Sequence, residues 1–182
     1  KKNLIIVIKD NMHILLTRPL EDCHEMILKF QAMGHEVSHL PLIKVEILNH
    51  ETLDYSNFKG IIFTSSNAIK FLNTKKIDKK INCFCVGNAT GKKARSVGFQ
   101  NTISAEGNVS NLKELILQNY NSKGAKLLYV SGELVSYDLD KDLTKEGLNV
   151  QRLINYSVSH VKDLSSDFLS EFKKKIPDII YI

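Results

Sequence analysis

Short apolar runs alternate with helix-spaced apolar positions along most of the chain, the pattern of a parallel α/β sheet. Ile14–Leu16 reads as a strand. After Thr17-Arg18-Pro19, the residues Leu20, Cys23, Met26, Ile27 and Phe30 recur at helical spacing until Gly34 stops them. Val37–Leu40 is extended again. Two strand–turn–helix units, Ile61–Phe71 and Phe84–Arg95, are the clearest. In the first, Gly60 precedes Ile61-Ile62-Phe63, then Thr64-Ser65-Ser66-Asn67 offers several N-caps and Ala68–Leu72 is helical. Lys75–Lys80 is a basic connection, read as a solvated face. In the second, Cys83–Val86 leads into Gly87-Asn88-Ala89-Thr90 and a helix that Gly98 ends. Thr102–Ser104 is a short strand. Asn111 with Glu114 caps a helix over Leu112–Tyr120. Leu127–Val130 is a strand, Ser131-Gly132 a turn, and Leu139 with Leu143 anchor a helix that Gly147 closes.

Two stretches break this pattern. Ile43, Val45 and Ile47 alternate with Lys44 and Glu46, and Ile154, Tyr156, Val158 and His160 alternate with Asn155, Ser157 and Ser159. Buried parallel strands do not alternate, whereas half-exposed ribbons do. Pairing them gives a two-stranded β-ribbon. The expected fold is therefore two parallel-sheet α/β domains joined by that ribbon. Residues 12–36 and 163–182 form a discontinuous first domain, 37–49 and 150–162 the ribbon, and 50–149 an inserted second domain. The tail contributes an amphipathic helix through Leu164, Phe168, Leu169 and Phe172, then a strand at Asp178–Ile182 that reads as buried. Residues 1–11 read as an N-terminal extension or an edge strand, since Leu4–Ile8 has strong β propensity. Gly60-Ile61-Ile62-Phe63 and Asp178-Ile179-Ile180-Tyr181 echo each other faintly, as two similar halves would.

Composition narrows the function. The chain has 182 residues, 43% hydrophobic and 25% charged, enough for a sizeable core. Its net charge of +5 is mild and has no aromatic-flanked basic cluster, so nucleic acid is not expected, while a small polyanion fits. No apolar run is long enough to span a membrane. Leu4–Ile8, cut off by Asp10, is too short for a signal peptide. Cys23, Cys83 and Cys85 lack metal-ligand spacing; Cys83 and Cys85 read as buried thiols, and a reducing cytoplasm is expected.

Gly87-Asn88-Ala89-Thr90-Gly91-Lys92-Lys93 resembles a phosphate-binding loop but fails it. Three residues separate the glycines, and Lys93 stands where a magnesium-binding Ser or Thr is needed. Two readings stay open: free N–H groups offered to an anion or carbonyl, or a turn with Thr90 capping its own helix. Thr64-Ser65-Ser66 ends a strand where α/β sheets bind ligands, yet each residue also suits a plain N-cap. No G-x-S-x-G elbow surrounds Ser65. The histidines at 13, 24, 35, 39, 50 and 160 form no metal set, and Glu133 and Asp138 announce no acid–base pair. Tyr156 packs between ribbon and domain, or shares a face with Ile154 and Val158 and frees its hydroxyl to donate.

Taken in order, Ile14-Leu15-Leu16-Thr17-Arg18-Pro19, Leu40-Pro41-Leu42, Gly60-Ile61-Ile62-Phe63-Thr64-Ser65, Val86-Gly87-Asn88-Ala89-Thr90 and Tyr156-Ser157-Val158 resemble the uroporphyrinogen-III synthase family over nearly all of 12–182. That family has two α/β domains joined by a β-ribbon. The resemblance implies cyclisation of the linear tetrapyrrole hydroxymethylbilane to uroporphyrinogen III, with the last ring inverted and water lost. It implies a monomer that uses no metal and no cofactor. By match Tyr156 is the proton donor, and Thr17, Arg18, Ser65, Asn88, Ala89, Thr90, Ser131 and Gly132 contact substrate. Two departures are visible. The family often carries an arginine near the turn after Leu127–Val130, where this chain has Ser131, Val135 and Ser136. The family also continues past the strand at 178–182, so the first domain is expected to be C-terminally truncated. An inactive remnant and a doubly wound anionic-ligand binding module are the competing expectations.

Overall fold

A computed structural model describes residues 11–120 and 124–182. The extension or edge strand expected before residue 11 therefore lies outside the described residues. In chain order the elements are β1 (His13–Leu16), α1 (Leu20–Ala32), β2 (Glu36–His39), β3 (Ile43–Ile47), β4 (Phe58–Phe63), α2 (Ser66–Lys70), β5 (Asn82–Val86) and α3 (Gly87–Ser96). There follow β6 (Asn101–Ala105), α4 (Val109–Asn119), β7 (Lys126–Gly132), α5 (Leu139–Lys145), β8 (Asn149–His160), α6 (Ser166–Lys174) and β9 (Ile179–Tyr181). The chain divides into two units. Glu46–Val158 is continuous, and residues up to Val45 combine with Ser159–Ile182.

The continuous unit is built on a sheet of order β3-β8-β7-β4-β5-β6. The five strands from β8 to β6 are parallel. Apolar residues of these strands point alternately to two faces. On one face Ile62, Phe84, Leu127 and Tyr129 pack with Leu112 and Ile116 of α4 and Leu139 and Leu143 of α5. On the other, α2 and α3 contact the sheet, and Ile61, Phe63, Cys83, Cys85, Leu128 and Val130 are buried. Burying both faces explains why these strands lack alternation in sequence. The two thiols lie 3.8 Å apart, and the bond to Cys85 together with burial pushes the Cys83 thiol up.

Several local expectations need correction. The strand before Thr64 begins at Phe58 rather than Ile61, with a bulge between Phe58 and Gly60. The following helix is short and starts at Ser66. Asn108, not Asn111, caps α4: its side chain accepts from the N–H groups of Ser110 and Asn111, while Asn111 Nδ2 donates to the Glu106 carbonyl. The basic connection is not wholly solvated, because Lys79 lies over the Phe99 ring, 4.4 Å from its centroid.

β8 is the larger surprise. It begins at Asn149 and pairs in parallel with β7 from Lys126↔Asn149 to Gly132↔Tyr156 before joining the ribbon. The Leu48 N–H donates to Asn155 and the Val161 N–H to Leu42, so the β3–β8 numbering runs in opposite senses, as in an antiparallel ribbon. A bulge at Ser131/Gly132 inserts an extra β8 residue and reverses the expected facing. Asn155 is 0% exposed, whereas Ile154 and Val158 are each 37% exposed.

The discontinuous unit is a parallel sheet of order β2-β1-β9. Ile14 and Leu16 pack with Cys23 of α1, and Met26, Ile27, Phe30 and Val37 close round them. β9 was expected to be buried. It is an edge strand instead, and Ile179, Ile180 and Tyr181 stay 43%, 52% and 40% exposed.

Candidate active site

Strand order reverses in the continuous unit between β4 and β7: β5 and β6 extend to one side, β7 and β8 to the other. Ligands of open parallel sheets bind in the crevice outside the carboxyl ends at such a reversal. Thr64 and Ser65 follow β4 there, and Ser131, Gly132 and Glu133 end β7. One strand along, Gly87 follows β5.

Each rim residue has a definite task. Ser65 is the N-cap of α2, its hydroxyl accepting from the Asn67 N–H at 3.2 Å. The Thr64 hydroxyl meets the Tyr129 hydroxyl at 3.3 Å. Burial pushes the Tyr129 phenol up, and the Thr64 bond and the nearby Arg152 guanidinium partly offset that. α3 starts immediately at Gly87, whose φ of 73 makes the sharp turn possible. Gly91 then lets the helix sit against β6, since a Cβ there would lie 2.1 Å from Ser104 Oγ. The two glycines of the loop-like motif thus have structural reasons. Thr90 does not cap the helix: it is buried inside α3, and no side chain caps the start. Asn88 and Ala89 are exposed in the uncapped first turn, the arrangement that leaves backbone N–H groups to an acceptor.

Ser131-Gly132 is not a turn but the end of β7. Ser131 is fully buried; its hydroxyl donates to the Gly132 carbonyl and accepts from Arg152 Nε at 2.8 Å. Arg152 Nη2 also donates to the carbonyls of Gly132 at 2.8 Å and Glu133 at 3.0 Å. One guanidinium therefore braces the whole end of β7. Tyr156 lies across Gly132, where a Cβ would come within 2.8 Å of its ring, and its ring packs against Phe71 at 6.3 Å. The bulge removes it from any face shared with Ile154 and Val158. Its hydroxyl makes no hydrogen bond among the described residues.

In the discontinuous unit, Thr17 is buried and donates from its hydroxyl to the Tyr181 carbonyl at 3.1 Å. Arg18 is exposed and pairs with Asp22 at 3.4 Å. Both follow the carboxyl end of β1, the equivalent position in that sheet.

The family model of uroporphyrinogen-III synthase HemD matches residues 24–182. The chain belongs to that family. It is 24% identical over 167 residues to the porphyrin biosynthesis protein HemD of Ruminiclostridium josui, covering 84% of this chain and 33% of the relative. It therefore spans about a third of the length of the curated relative it matches. Its fold resembles uroporphyrinogen-III synthetase from Helicobacter pylori (TM-score 0.55, 19% identity, 93% of this chain and 72% of that one). It also resembles a mutant uroporphyrinogen III synthase from Thermus thermophilus (TM-score 0.57, 12% identity, 82% and 64%). The two-domain α/β architecture read from alternation is the fold of this family.

Sequence reasoning missed Arg152. The family resemblance points to an arginine near the turn after Leu127–Val130, and residues 131–136 hold none. The guanidinium arrives there from the neighbouring parallel strand. Residues 150–162 were expected only as ribbon, with alternation starting at Ile154, so the parallel β7–β8 pairing that delivers Arg152 was not visible.

Proposed function

We propose that this chain acts as a uroporphyrinogen-III synthase, a cofactor-independent hydro-lyase of the cytoplasm that cyclises hydroxymethylbilane to uroporphyrinogen III. The family match over residues 24–182 carries this reading. The rim of the continuous unit supports it, because its groups suit holding a carboxylate-rich chain. Uncapped N–H groups at Asn88 and Ala89 suit acid side arms, and the braced Ser131–Glu133 segment supplies a rigid neighbour. Thr17 and Arg18 are the corresponding candidates in the discontinuous unit.

The chemistry needs few reactive groups. The C–O bond of the terminal hydroxymethyl breaks as the pyrrole nitrogen pushes electrons in, giving a cationic azafulvene. The departing oxygen takes a proton and leaves as water. The substituted carbon of the last ring attacks to form a spiro intermediate, whose reopening and reclosure inverts that ring. Tyr156 is the assigned proton donor, because its hydroxyl has no competing partner beside Gly132. Most of the rate comes from holding a flexible chain in its folded geometry.

Incubating the 182-residue chain with hydroxymethylbilane and separating the isomers tests the reading. Uroporphyrinogen III is expected; formation of only the I isomer overturns it. Tyr156→Phe is expected to slow turnover by about 10²-fold, and an unchanged rate removes its role as acid.

A further inference from the structure

β7 and β8 lose their regular ladder at the rim of the continuous unit. Ser131 pairs with Ile154 and Gly132 with Tyr156, so Asn155 is the extra residue of the bulge. A bulge disrupts the ladder locally, and buried carbonyls left by it need donors from elsewhere. Two side chains of β8 answer this. Asn155 Nδ2 donates to the Ala68 carbonyl. Arg152 stands opposite Tyr129 and reaches forward along β7: Nε donates to Ser131 Oγ, and Nη2 to the carbonyls of Gly132 and Glu133. Its Cζ lies 5.9 Å from the centroid of the buried Tyr129 ring. The segment held in this way is the seat of Tyr156. The Glu133 N–H donates to the Tyr156 carbonyl at 2.9 Å. The Tyr156 ring lies over Gly132, with Phe71 packed against it. The φ of Gly132 is not positive, so a methyl there would meet the ring and cause no backbone strain of its own.

We propose that Arg152 is a positioning residue for Tyr156, acting through the Ser131–Glu133 segment; its effect on turnover rests on the tetrapyrrole reading. The guanidinium commits Nε and Nη2 to the chain itself, so its task is to fix β7 and not to carry substrate. A planar fork holds three acceptors at set angles with little loss of side-chain freedom. Without it the Gly132 and Glu133 carbonyls lose their donor, the end of β7 loosens, and the floor under the Tyr156 ring shifts. Misplacing a reacting group by about 1 Å costs up to about 10²-fold in rate. The loss falls on the chemical step, because the substrate still meets the same surface groups.

Arg152→Gln and Gly132→Ala test this in the full chain with hydroxymethylbilane. Each is expected to lower kcat about tenfold and to change KM by less than about twofold. In a Tyr156→Phe background the same substitutions should cost less than about twofold, because the group they position is gone. Ser131→Ala removes only the acceptor of Nε and should show the same pattern at about threefold, which keeps the test open where Arg152→Gln does not fold. A raised KM with kcat unchanged would make Arg152 a substrate ligand. Undiminished losses in the Tyr156→Phe background would make it a structural residue alone. Either result overturns the proposal. Tyrosine-ring NMR needs no turnover: the resonances that Tyr156→Phe removes should shift in Arg152→Gln and in Ser131→Ala, and unmoved resonances overturn the proposal whatever the rates. A wild type that makes only the I isomer overturns the tetrapyrrole reading, and the ring resonances then decide by themselves whether Arg152 seats Tyr156.

Discussion

The two units repeat one motif, a parallel strand followed by a helix, but they close it differently. In the continuous unit both sheet faces are covered, and Ile61, Ile62, Phe63, Phe84 and Leu127 are all 0% exposed. In the discontinuous unit α1 seals one face, while the other holds His13, Ser38 and a cavity, and β9 stays half exposed. Similar strand sequences, Ile61-Ile62-Phe63 and Ile179-Ile180-Tyr181, thus meet opposite fates. Burial is decided by what packs on a strand, not by its own apolarity. The largest test is a pair of truncations. Phe84→Ala empties a filled core and should cost about 3–5 kcal/mol. Leu15→Ala borders an existing void, makes fewer contacts to lose, and should cost about 2 kcal/mol. Urea unfolding of both variants reads the difference; equal losses would mean that the two units are packed alike.

Gly91→Ala tests the closeness of packing in the continuous unit. The new methyl would sit 2.1 Å from Ser104 Oγ, so α3 must lift or β6 must shift. We expect a loss of about 1–3 kcal/mol. Ser104 Oγ is buried without a partner, so Ser104→Ala alone should be nearly neutral and should rescue part of the Gly91→Ala loss. A double-mutant cycle with no coupling would place the clash elsewhere.

The legible part of the molecule followed from burial on both sides. Continuous apolar runs at 61–63, 83–86 and 127–130 marked the central strands, and alternation marked the ribbon. Alternation was also where reading failed. A bulge adds one residue to β8 and reverses the faces, which no periodicity records, so Asn155 is buried and Ile154 is not. Asn155 donates instead to the Ala68 carbonyl at 2.8 Å, a bond across 87 residues of chain. Pairing between β7 and β8 is likewise non-local, which hid Arg152. Thr90 and Asn111 show a different limit: several residues near a helix start can cap it, and backbone geometry chooses one.

Helix caps give a smaller comparison within the continuous unit. Asn108 serves two N–H groups at the head of α4, while Ser65 serves one at the head of α2. Asn108→Ala should therefore cost about 1–2 kcal/mol and Ser65→Ala about 0.5–1 kcal/mol. Thermal unfolding distinguishes them, and the reverse order would show that α2 depends on its cap more than its tertiary contacts allow.

The smallest effect is nil at neutral pH and appears only in alkali. Burial pushes the Tyr129 phenol above its ordinary 10.0, and burial also raises Tyr55. A bond to Asp142 raises Tyr137, and Cys83 is raised from 9.0. For a group whose folded value is raised, the unfolded chain ionises first. The stabilisation is complete below the unfolded value and declines as pH climbs toward the folded one. Lys113 and Lys141, raised by Glu146 and Asp138, act in the same direction, while Lys79, lowered by burial, opposes them. In the discontinuous unit Cys23 is the described group that burial raises in this way. The continuous unit should therefore lose stability more steeply above about pH 9–10. Tyr129→Phe removes one ionisation and should flatten that decline, at the cost of the Thr64 contact. Urea midpoints measured from neutral pH upward for both proteins read it, and identical slopes would mean that the Tyr129 hydroxyl keeps its solvent value.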